Sequence, residues 1–145
     1  MRAVVQRVAR ARVSVDGQVV GAIDSGLVVL LGIGKWDVEK SAQWMAHKVA
    51  NLRIFSDENG KMNRSVLDTG GQVLLISQFT LYGDALRGHR PGFSGAATPD
   101  VAGPLVDKVA ESLVQTGVAV ATGRFQAHML VEIHNDGPVT ILLEK

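Results

Sequence analysis

The stretch VLLISQFTLY, Val73–Tyr82, decides the fold, because it combines an apolar run of strand length with polar side chains at its centre. Its first four residues are typical of a strand that is buried on both faces, and the apolar character resumes at Leu81. Ser77, Gln78 and Thr80 are therefore expected inside or at the end of a core strand. A buried hydroxyl or amide without a partner costs about 1 to 3 kcal/mol, so these groups either form local hydrogen bonds or line a pocket. The stretch alone leaves both interpretations open.

The composition is that of one well-filled globular domain, which we expect to span residues 1–145. The chain has 145 residues, of which 46% are hydrophobic, and this is enough for a single core. It contains no cysteine, which excludes a thiolate nucleophile and cysteine zinc sites and favours a cytoplasmic location. No segment is typical of a signal peptide or a membrane span, so no membrane partner is expected. The formal charge of +1 means that any contact with nucleic acid must be a local patch.

The N-terminal segment predicts a strand over residues 2–15 with its odd-numbered residues inward, because apolar and polar side chains alternate there. Arg7 falls on the inward face. Since an unpaired buried charge is costly, its guanidinium either binds a fixed carboxylate or carbonyl partner or extends to the edge of the sheet. Asp16-Gly17 predicts a two-residue hairpin, and Asp24-Ser25-Gly26 predicts a second turn, so the chain should open as a meander of strands.

Two amphipathic helices are predicted after this meander. Asp37 is expected to cap the first, whose apolar residues recur at helical spacing as far as Leu52. The second should begin at Thr98-Pro99, end at Gly117, and be kinked or restarted at Pro104. Short strands are expected at 53–56, 118–122, 126–134 and 139–143.

The segment 83–98 is predicted to be a long glycine-rich loop that carries Arg87, His89 and Arg90. Loops of this length in compact domains are usually functional or mobile.

The segment Asn135–Thr140, NDGPVT, carries conflicting turn signals. Asp136-Gly137 is typical of a type I′ hairpin, but Pro138 would then stand where an N–H must close the turn, and proline has none. A cis Gly-Pro bond in a type VI turn avoids the conflict, although only about 5 to 6% of X-Pro bonds in folded proteins are cis.

Side-chain motifs of familiar catalysts are absent. The segment Gly32–Lys35 lacks the spacing of a phosphate-binding loop, and Gly92–Gly95 lacks that of a nucleophile elbow. His128 and His134 would lie about 20 Å apart on one strand and cannot share a metal ion. No metal or cofactor is predicted, and backbone N–H and C=O groups remain as the source of catalysis.

Two separated motifs resemble those of the D-aminoacyl-tRNA deacylase family: SQFTLYGD at Ser77–Asp84 and NDGPVT at Asn135–Thr140. The opening MRAVVQRV, KMNRSVLD at Lys61–Asp68, RPGF at Arg90–Phe93 and the ending from Gly123 extend the resemblance over the whole chain. The resemblance implies an α/β fold, a β-rich layered sandwich of two sheets with two main helices packed on one side. It also implies a cytoplasmic homodimer that hydrolyses the ester between a D-amino acid and the 3′ end of tRNA. Glycyl-tRNA is the expected secondary substrate, and neither a cofactor nor DNA is expected.

The same resemblance implies where the site lies. The floor of a pocket at the dimer interface would be formed by Ser77, Gln78, Phe79 and Thr80. A Gly137-cis-Pro138 motif, held by Arg7, would enter from the opposite subunit, and Phe125 and Met129 would line the region that receives the terminal adenosine and the amino acid. The loop sequence Arg87-Gly88-His89 departs from the Lys-Gly-Asn of many relatives, so its RNA contacts are open.

We expect a mechanism that depends on the backbone, because Thr80 has no evident base to activate its hydroxyl. N–H groups near Phe79 and Thr80 would stabilise the oxyanion, while the tRNA 2′-hydroxyl assists the attacking water. Carbonyls of Gly137-Pro138 would hold the substrate ammonium and leave no room for an L side chain, whereas glycine would still fit.

Overall fold

The computed structural model describes residues 1–145 and contains eight strands, three α-helices and one short 3₁₀ helix. The strands are β1 (Arg2–Val15), β2 (Gln18–Ile23), β3 (Gly26–Gly32), β4 (Phe55–Ser56), β5 (Met62–Arg64), β6 (Gln72–Ser77), β7 (Ala119–Thr122) and β8 (Leu130–Glu144). The helices are α1 (Glu39–Ala50), α2 (Val66–Thr69) and α3 (Pro99–Gln115), and the 3₁₀ helix spans Phe79–Tyr82. No helix is both long and apolar enough to cross a membrane.

Six strands form one sheet in the order β2-β1-β3-β6-β7, with β8 paired to β1. The long strand β1 pairs with β3 through its first half and with β2 through its second half, while β8 pairs with it along almost its whole length. The β3-β6-β7 part is parallel. Strands β4 and β5 form a separate two-stranded sheet.

The large sheet folds over, so that its two halves face each other across a small core. Seven buried residues from both halves form this core: Val8, Ala11, Val13, Ile23, Val28, Leu74 and Ile76. Strand β2 approaches β7 closely, since a Cβ on Gly21 would stand 2.6 Å from the carbonyl oxygen of Thr122. The predicted β-rich α/β layered sandwich is confirmed, and its two main layers are halves of one sheet.

A larger core of 22 buried residues joins the sheet to α1 and α3. The two helices pack on the same side, as predicted. Helix α3 buries Val106, Val109 and Leu113 and is one continuous helix in spite of Pro104. Of the two alternatives predicted at Pro104, a kink or a restart, the restart does not occur.

The first hairpin is formed as predicted. Asp16 has φ 51° and Gly17 has φ 77°, which is the left-handed conformation that a type I′ turn needs at both central residues. The inward face of β1 is confirmed at Ala3, Val5 and Val13, which are buried. The alternation is broken in the middle of the strand, where Ala9 is exposed and Val8 is buried instead, because the pairing with β8 is irregular there.

Three local expectations are wrong. The residue before α1 is Val38, and Asp37 instead accepts hydrogen bonds from the Met1 ammonium (2.7 Å) and the Gly34 N–H (2.7 Å). The central stretch does not resume as a strand, because β6 ends at Ser77 and the 3₁₀ helix follows. The last two predicted strands are one strand, β8, because β1 pairs with it on both sides of the NDGPVT segment.

Candidate active site

A cavity of about 710 Å³ opens at the carboxyl end of β6. Ser77, Gln78 and Phe79 line it, and the pairing of Ser77 with Leu31 of β3 fixes where this segment enters. The remaining wall is formed by the segments 93–99 and 125–129 and by the first half of α3. The lining is mostly apolar and contains no carboxylate.

The chain turns sharply after Ser77, and the turn leaves two backbone N–H groups free. The N–H of Gln78 donates to the carbonyl of Leu31 (2.7 Å), and the N–H of Leu81 donates to the carbonyl of Gln78 (3.2 Å). Between them, the N–H groups of Phe79 and Thr80 take part in none of the turn and loop hydrogen bonds, and the first N–H groups of a helix have no acceptor within that helix. The end of β6 therefore offers two adjacent donors beside the cavity.

Thr80 lies next to the cavity but does not line it. Its hydroxyl accepts a hydrogen bond from the side-chain amide of Gln78, and no carboxylate or imidazole bonds to it. A hydroxyl nucleophile requires an adjacent base. The geometry provides none for Thr80.

Aromatic side chains surround the mouth of the cavity. Phe79 and Phe93 pack edge to face, with ring centroids 5.1 Å apart, and both are exposed. Phe125 and Met129 also line the cavity. The sulfur of Met129 occupies space that only a glycine leaves open, since a Cβ on Gly123 would stand 2.6 Å from it.

Gly137 and Pro138 are exposed and do not line the cavity of their own chain. The bond between them is cis, as predicted. Gln6 pairs with Thr140 and Val8 pairs with Asn135, so residues 136–139 bulge out of β8 opposite Arg7.

Two side chains hold this bulge. Arg7 donates to the carbonyl of Asp136 (3.2 Å) and to that of Ile54 (2.7 Å), and it pairs with the Asp136 carboxylate (3.1 Å). The inward cation therefore has fixed partners. The Asn135 amide accepts from the N–H of Val139 (2.9 Å) and donates to its carbonyl (3.2 Å). The sequence analysis did not identify Asn135 as a functional residue. The signal that could have identified it is an amide side chain three residues before Pro138, which has no N–H of its own.

The 3₁₀ helix is fixed at both ends: the Gln78 N–H holds its beginning, as described above, and Arg2 holds its end. Arg2 donates to the carbonyl of Leu81 (3.2 Å) and lies 4.7 Å from the centroid of the Tyr82 ring. Burial, followed by the nearby negative charge of Asp37, raises the pKa of Tyr82 to about 12. The residues that carry Phe79 and Thr80 are thus held at both ends.

His128 is the only titratable side chain in the cavity lining. The sequence predicted that His128 belongs to a strand, but β8 begins at Leu130 and His128 is exposed before it. The preceding residues form a turn in which the N–H of Ala127 donates to the carbonyl of Arg124 (3.2 Å) and Gln126 has φ 62°. This turn shortens the strand and brings His128 to the cavity.

Residues 4–144 match the family described as D-Tyr-tRNA(Tyr) deacylase. A protein of Heliobacterium modesticaldum named D-aminoacyl-tRNA deacylase is 60% identical over 144 residues, which cover 99% of this chain and 96% of that protein. A solved structure described as "c-Myc DNA Unwinding Element Binding Protein" has a TM-score of 0.94 and 44% identity, and the match covers 100% of this chain and 99% of that one. A structure described as "Structural Analysis of a probable eukaryotic D-amino acid tRNA deacylase" has a TM-score of 0.84, 16% identity and coverage of 98% and 97%, and it shows the same fold.

Proposed function

Because the chain belongs to the D-aminoacyl-tRNA deacylase family, whose members hydrolyse D-aminoacyl-tRNA, we propose that the cavity at the end of β6 is where the ester is cleaved. The chain is a hydrolase, and its substrate is an aminoacylated tRNA. The observation that carries the placement is the pair of free N–H groups at Phe79 and Thr80 beside a cavity without a carboxylate. Residues 1–145 act as one domain, and the enzyme works in the cytoplasm.

The two N–H groups stabilise the oxyanion that forms when water attacks the ester carbonyl. Donors that are fixed before the reaction cost no reorganisation, and removing one such donor typically lowers kcat by about 10² to 10³. An aminoacyl ester is already activated, so the tRNA 2′-hydroxyl can assist the attacking water once the ester is oriented. A general base at His128 is the rival mechanism, since this imidazole lines the cavity.

Chiral selection requires a second copy of the chain. Gly137 and Pro138 are exposed, held rigidly by Arg7 and Asn135, and absent from their own cavity, which suits a motif that enters the cavity of a partner. Their carbonyls accept hydrogen bonds from the substrate α-ammonium. With ammonium and ester both fixed, an L side chain meets the motif, a D side chain points away from it, and glycine is also accepted.

The surface of β8 supports association of two copies as a homodimer. This strand pairs only with β1, so one edge is open, and Leu130 and Leu142 on it are 66% and 77% exposed. A long open edge with exposed leucines is a surface that proteins usually cover.

The proposed function is tested by incubating the purified protein with D-tyrosyl-tRNA, L-tyrosyl-tRNA and glycyl-tRNA and measuring the released amino acid. We expect release from the D-tyrosyl and glycyl substrates and none above the enzyme-free rate from the L substrate. If the protein binds all three aminoacyl-tRNAs but releases no amino acid, the proposed hydrolysis is wrong and the chain is a non-catalytic RNA-binding domain. Equal release from the D and L substrates would overturn the proposed chiral selection.

A further inference from the structure

Two exposed segments border the mouth of the cavity. The first is a hairpin over residues 84–92, closed by hydrogen bonds from the Asp84 N–H to the Gly92 carbonyl (2.7 Å) and from the Gly92 N–H to the Asp84 carbonyl (2.8 Å). Gly88, near its tip, has φ +78°, which favours glycine. We call this hairpin the arm. The second segment, Lys35-Trp36, follows β3, and we call it the Trp36 turn.

Both segments are fixed to the wall of the cavity. Phe93, the residue after the arm, lines the cavity and packs against Phe79. The N–H of Lys35 donates to the carbonyl of Gly95 (3.2 Å), and a β-bridge joins Gly34 to Ala96, which also lines the cavity. A ligand that leaves the cavity on this side therefore meets the arm and the Trp36 turn.

Cations and large apolar side chains are both exposed on these segments. Trp36 is 91% exposed and Leu86 is 94% exposed. Lys35, Arg87 and Arg90 are exposed, and none of them forms a salt bridge that would neutralise its charge. The one acid of the arm, Asp84, lies at its base and accepts a hydrogen bond from the Leu86 N–H (2.9 Å).

We propose that the arm and the Trp36 turn are the docking surface for the RNA strand that adjoins the esterified 3′-terminal adenosine. Lys35, Arg87 and Arg90 contact phosphates of this strand, and the indole of Trp36 stacks on an unpaired base. Single-stranded nucleic acid is bound by this combination, in which cations follow the backbone and an aromatic ring stacks on a base. The chain needs a local patch for this purpose because its net charge of +1 provides no general attraction. The inference rests on the proposed function, since it places the RNA relative to the cleaved ester.

The test compares two substrates that differ only in the RNA beyond the terminal nucleoside: D-tyrosyl-tRNA and 3′-O-(D-tyrosyl)adenosine. For the double variant Arg87→Gln/Arg90→Gln, we expect KM for D-tyrosyl-tRNA to rise about tenfold and the slope of log KM against log salt to fall by about 1.4, because each phosphate contact on a single strand contributes about 0.7. For Trp36→Ala we expect a rise of about tenfold, and Trp36→Phe should restore most of it, because any aromatic ring can stack on a base. Hydrolysis of the adenosine ester should be unchanged in every variant.

The matched control is Arg10→Gln/Lys61→Gln, which removes the same charge from two exposed residues outside the cavity lining and should leave both substrates unaffected. An unchanged KM for D-tyrosyl-tRNA in the arm and Trp36 variants would overturn the inference, and so would an equal loss on the adenosine ester. A Trp36→Ala protein that dissociates into monomers would assign Trp36 to a contact between copies of the chain instead.

Binding of uncharged tRNA separates this inference from the proposed reaction. If the wild-type protein releases no amino acid but the variants lose tRNA affinity, the docking surface stands and the proposed reaction fails. If the wild-type protein deacylates and the variants bind tRNA as tightly as it does, the docking surface alone fails.

Discussion

The N–H of Phe79 is the smallest group on which the proposed chemistry depends, and only proline removes it. Proline is tolerated in the first turn of a helix, and Phe79 is the first residue of a 3₁₀ helix whose preceding residue, Gln78, lies outside the helical region with φ −144° and ψ 77°. We expect Phe79→Pro to lower kcat for D-tyrosyl-tRNA about 10²- to 10³-fold relative to Phe79→Ala, which loses only the ring. Single-turnover kinetics at saturating enzyme would measure this. Equal rates for the two variants would contradict the assignment of the oxyanion donor.

Side chains beside the cavity should be dispensable for the chemical step. Thr80→Ala and His128→Gln are each expected to keep kcat within about threefold of the wild-type value, because the proposed mechanism uses neither side chain. Removing a group that does act in general acid–base catalysis typically lowers the rate by about 10²- to 10⁴-fold. The pH profile of kcat provides a second measurement. A loss of 100-fold or more in folded His128→Gln, together with loss of the inflection in the pH profile, would identify the imidazole as the base. The same loss in Thr80→Ala would identify the hydroxyl as the nucleophile.

Tyr82 is the only tyrosine of the chain, so the absorbance of tyrosinate reports its ionisation directly. Its pKa is raised to about 12 by burial and by the charge of Asp37, and we expect Asp37→Asn to shift the midpoint downward. A raised pKa means that the folded state holds the proton more tightly than the unfolded chain does. This contribution to the free energy of unfolding is complete below the unfolded pKa of about 10 and is lost as the pH rises through about 12. A wild-type midpoint near 10 would show that Tyr82 is not buried beside the negative charge of Asp37.

Sequence reasoning at the scale of single residues succeeded where a physical conflict was visible. Arg7 stood out because a cation on an inward face needs a partner, and the structure provides one in Asp136. The prediction that Asp37 caps α1 is wrong. An acid before a helix is typical of an N-cap, and nothing nearby in the sequence indicates that the Met1 ammonium lies beside Asp37. Contacts between distant parts of the chain are invisible to local pattern.

At the scale of elements, the largest error concerns β8. The pair Asp136-Gly137 is a strong hairpin signal, yet both flanking segments pair with the same long strand, β1. A bulge and a hairpin use the same turn residues, and only the partner strand distinguishes them. The 3₁₀ helix after Ser77 was not predicted either. Phe79, Leu81 and Tyr82 continue the apolar pattern although the strand has already ended at Ser77, so the local pattern does not show where the strand stops.

The bulge in β8 should depend on the side chain of Asn135. Asn135→Ala removes both hydrogen bonds to the buried residue Val139, and we expect the free energy of unfolding in urea to fall by about 1 to 3 kcal/mol. Asn135→Asp keeps an acceptor for the Val139 N–H but places a carboxylate oxygen where the donor faced the Val139 carbonyl, so it should restore only part of the lost stability. Discrimination between D- and L-tyrosyl-tRNA should weaken in the same order. Equal stability of Asn135→Ala and the wild-type protein would show that the bulge holds its shape without this clamp.

At the scale of the whole molecule, the proposed site can be divided between two subunits and then reassembled. Phe79→Pro damages the cavity, and Gly137→Ala damages the opposite motif, where a Cβ would stand 2.7 Å from the Val139 side chain. Heterodimers formed by mixing the two inactive variants contain one intact site, so a random mixture should recover about a quarter of the wild-type activity. Light scattering and circular dichroism confirm beforehand that each variant is a folded dimer, and Pro138→Ala replaces Gly137→Ala if the latter does not fold. No recovery by folded, exchanging variants, or full activity of a wild-type monomer, would refute the shared site.

The sequence could predict the layers of the molecule but not the assembly of its site. Each of β1, α1 and α3 buries one face against the core. This produces a periodic pattern of apolar residues along the whole element, which can be recognised in the sequence. The cavity, in contrast, is formed by residues 77–79, 93–99 and 125–129, whose convergence depends on the order of the strands in the sheet. Only the resemblance to a known family predicted, from the sequence, that Phe79, Phe125 and Met129 belong to one site.

The pairing of β1 with β8 also determines when the chain can fold as it is made. The contact between Arg2 and Glu144 spans 142 residues, so β1 leaves the ribosome well before β8, the strand that covers its edge. Contacts of such separation slow folding, and an uncovered strand edge invites pairing with other nascent chains. A ribosome that stalls before residue 130 therefore carries a chain with an open β1 edge, and this is the stage of biosynthesis at which a chaperone would have the most to protect.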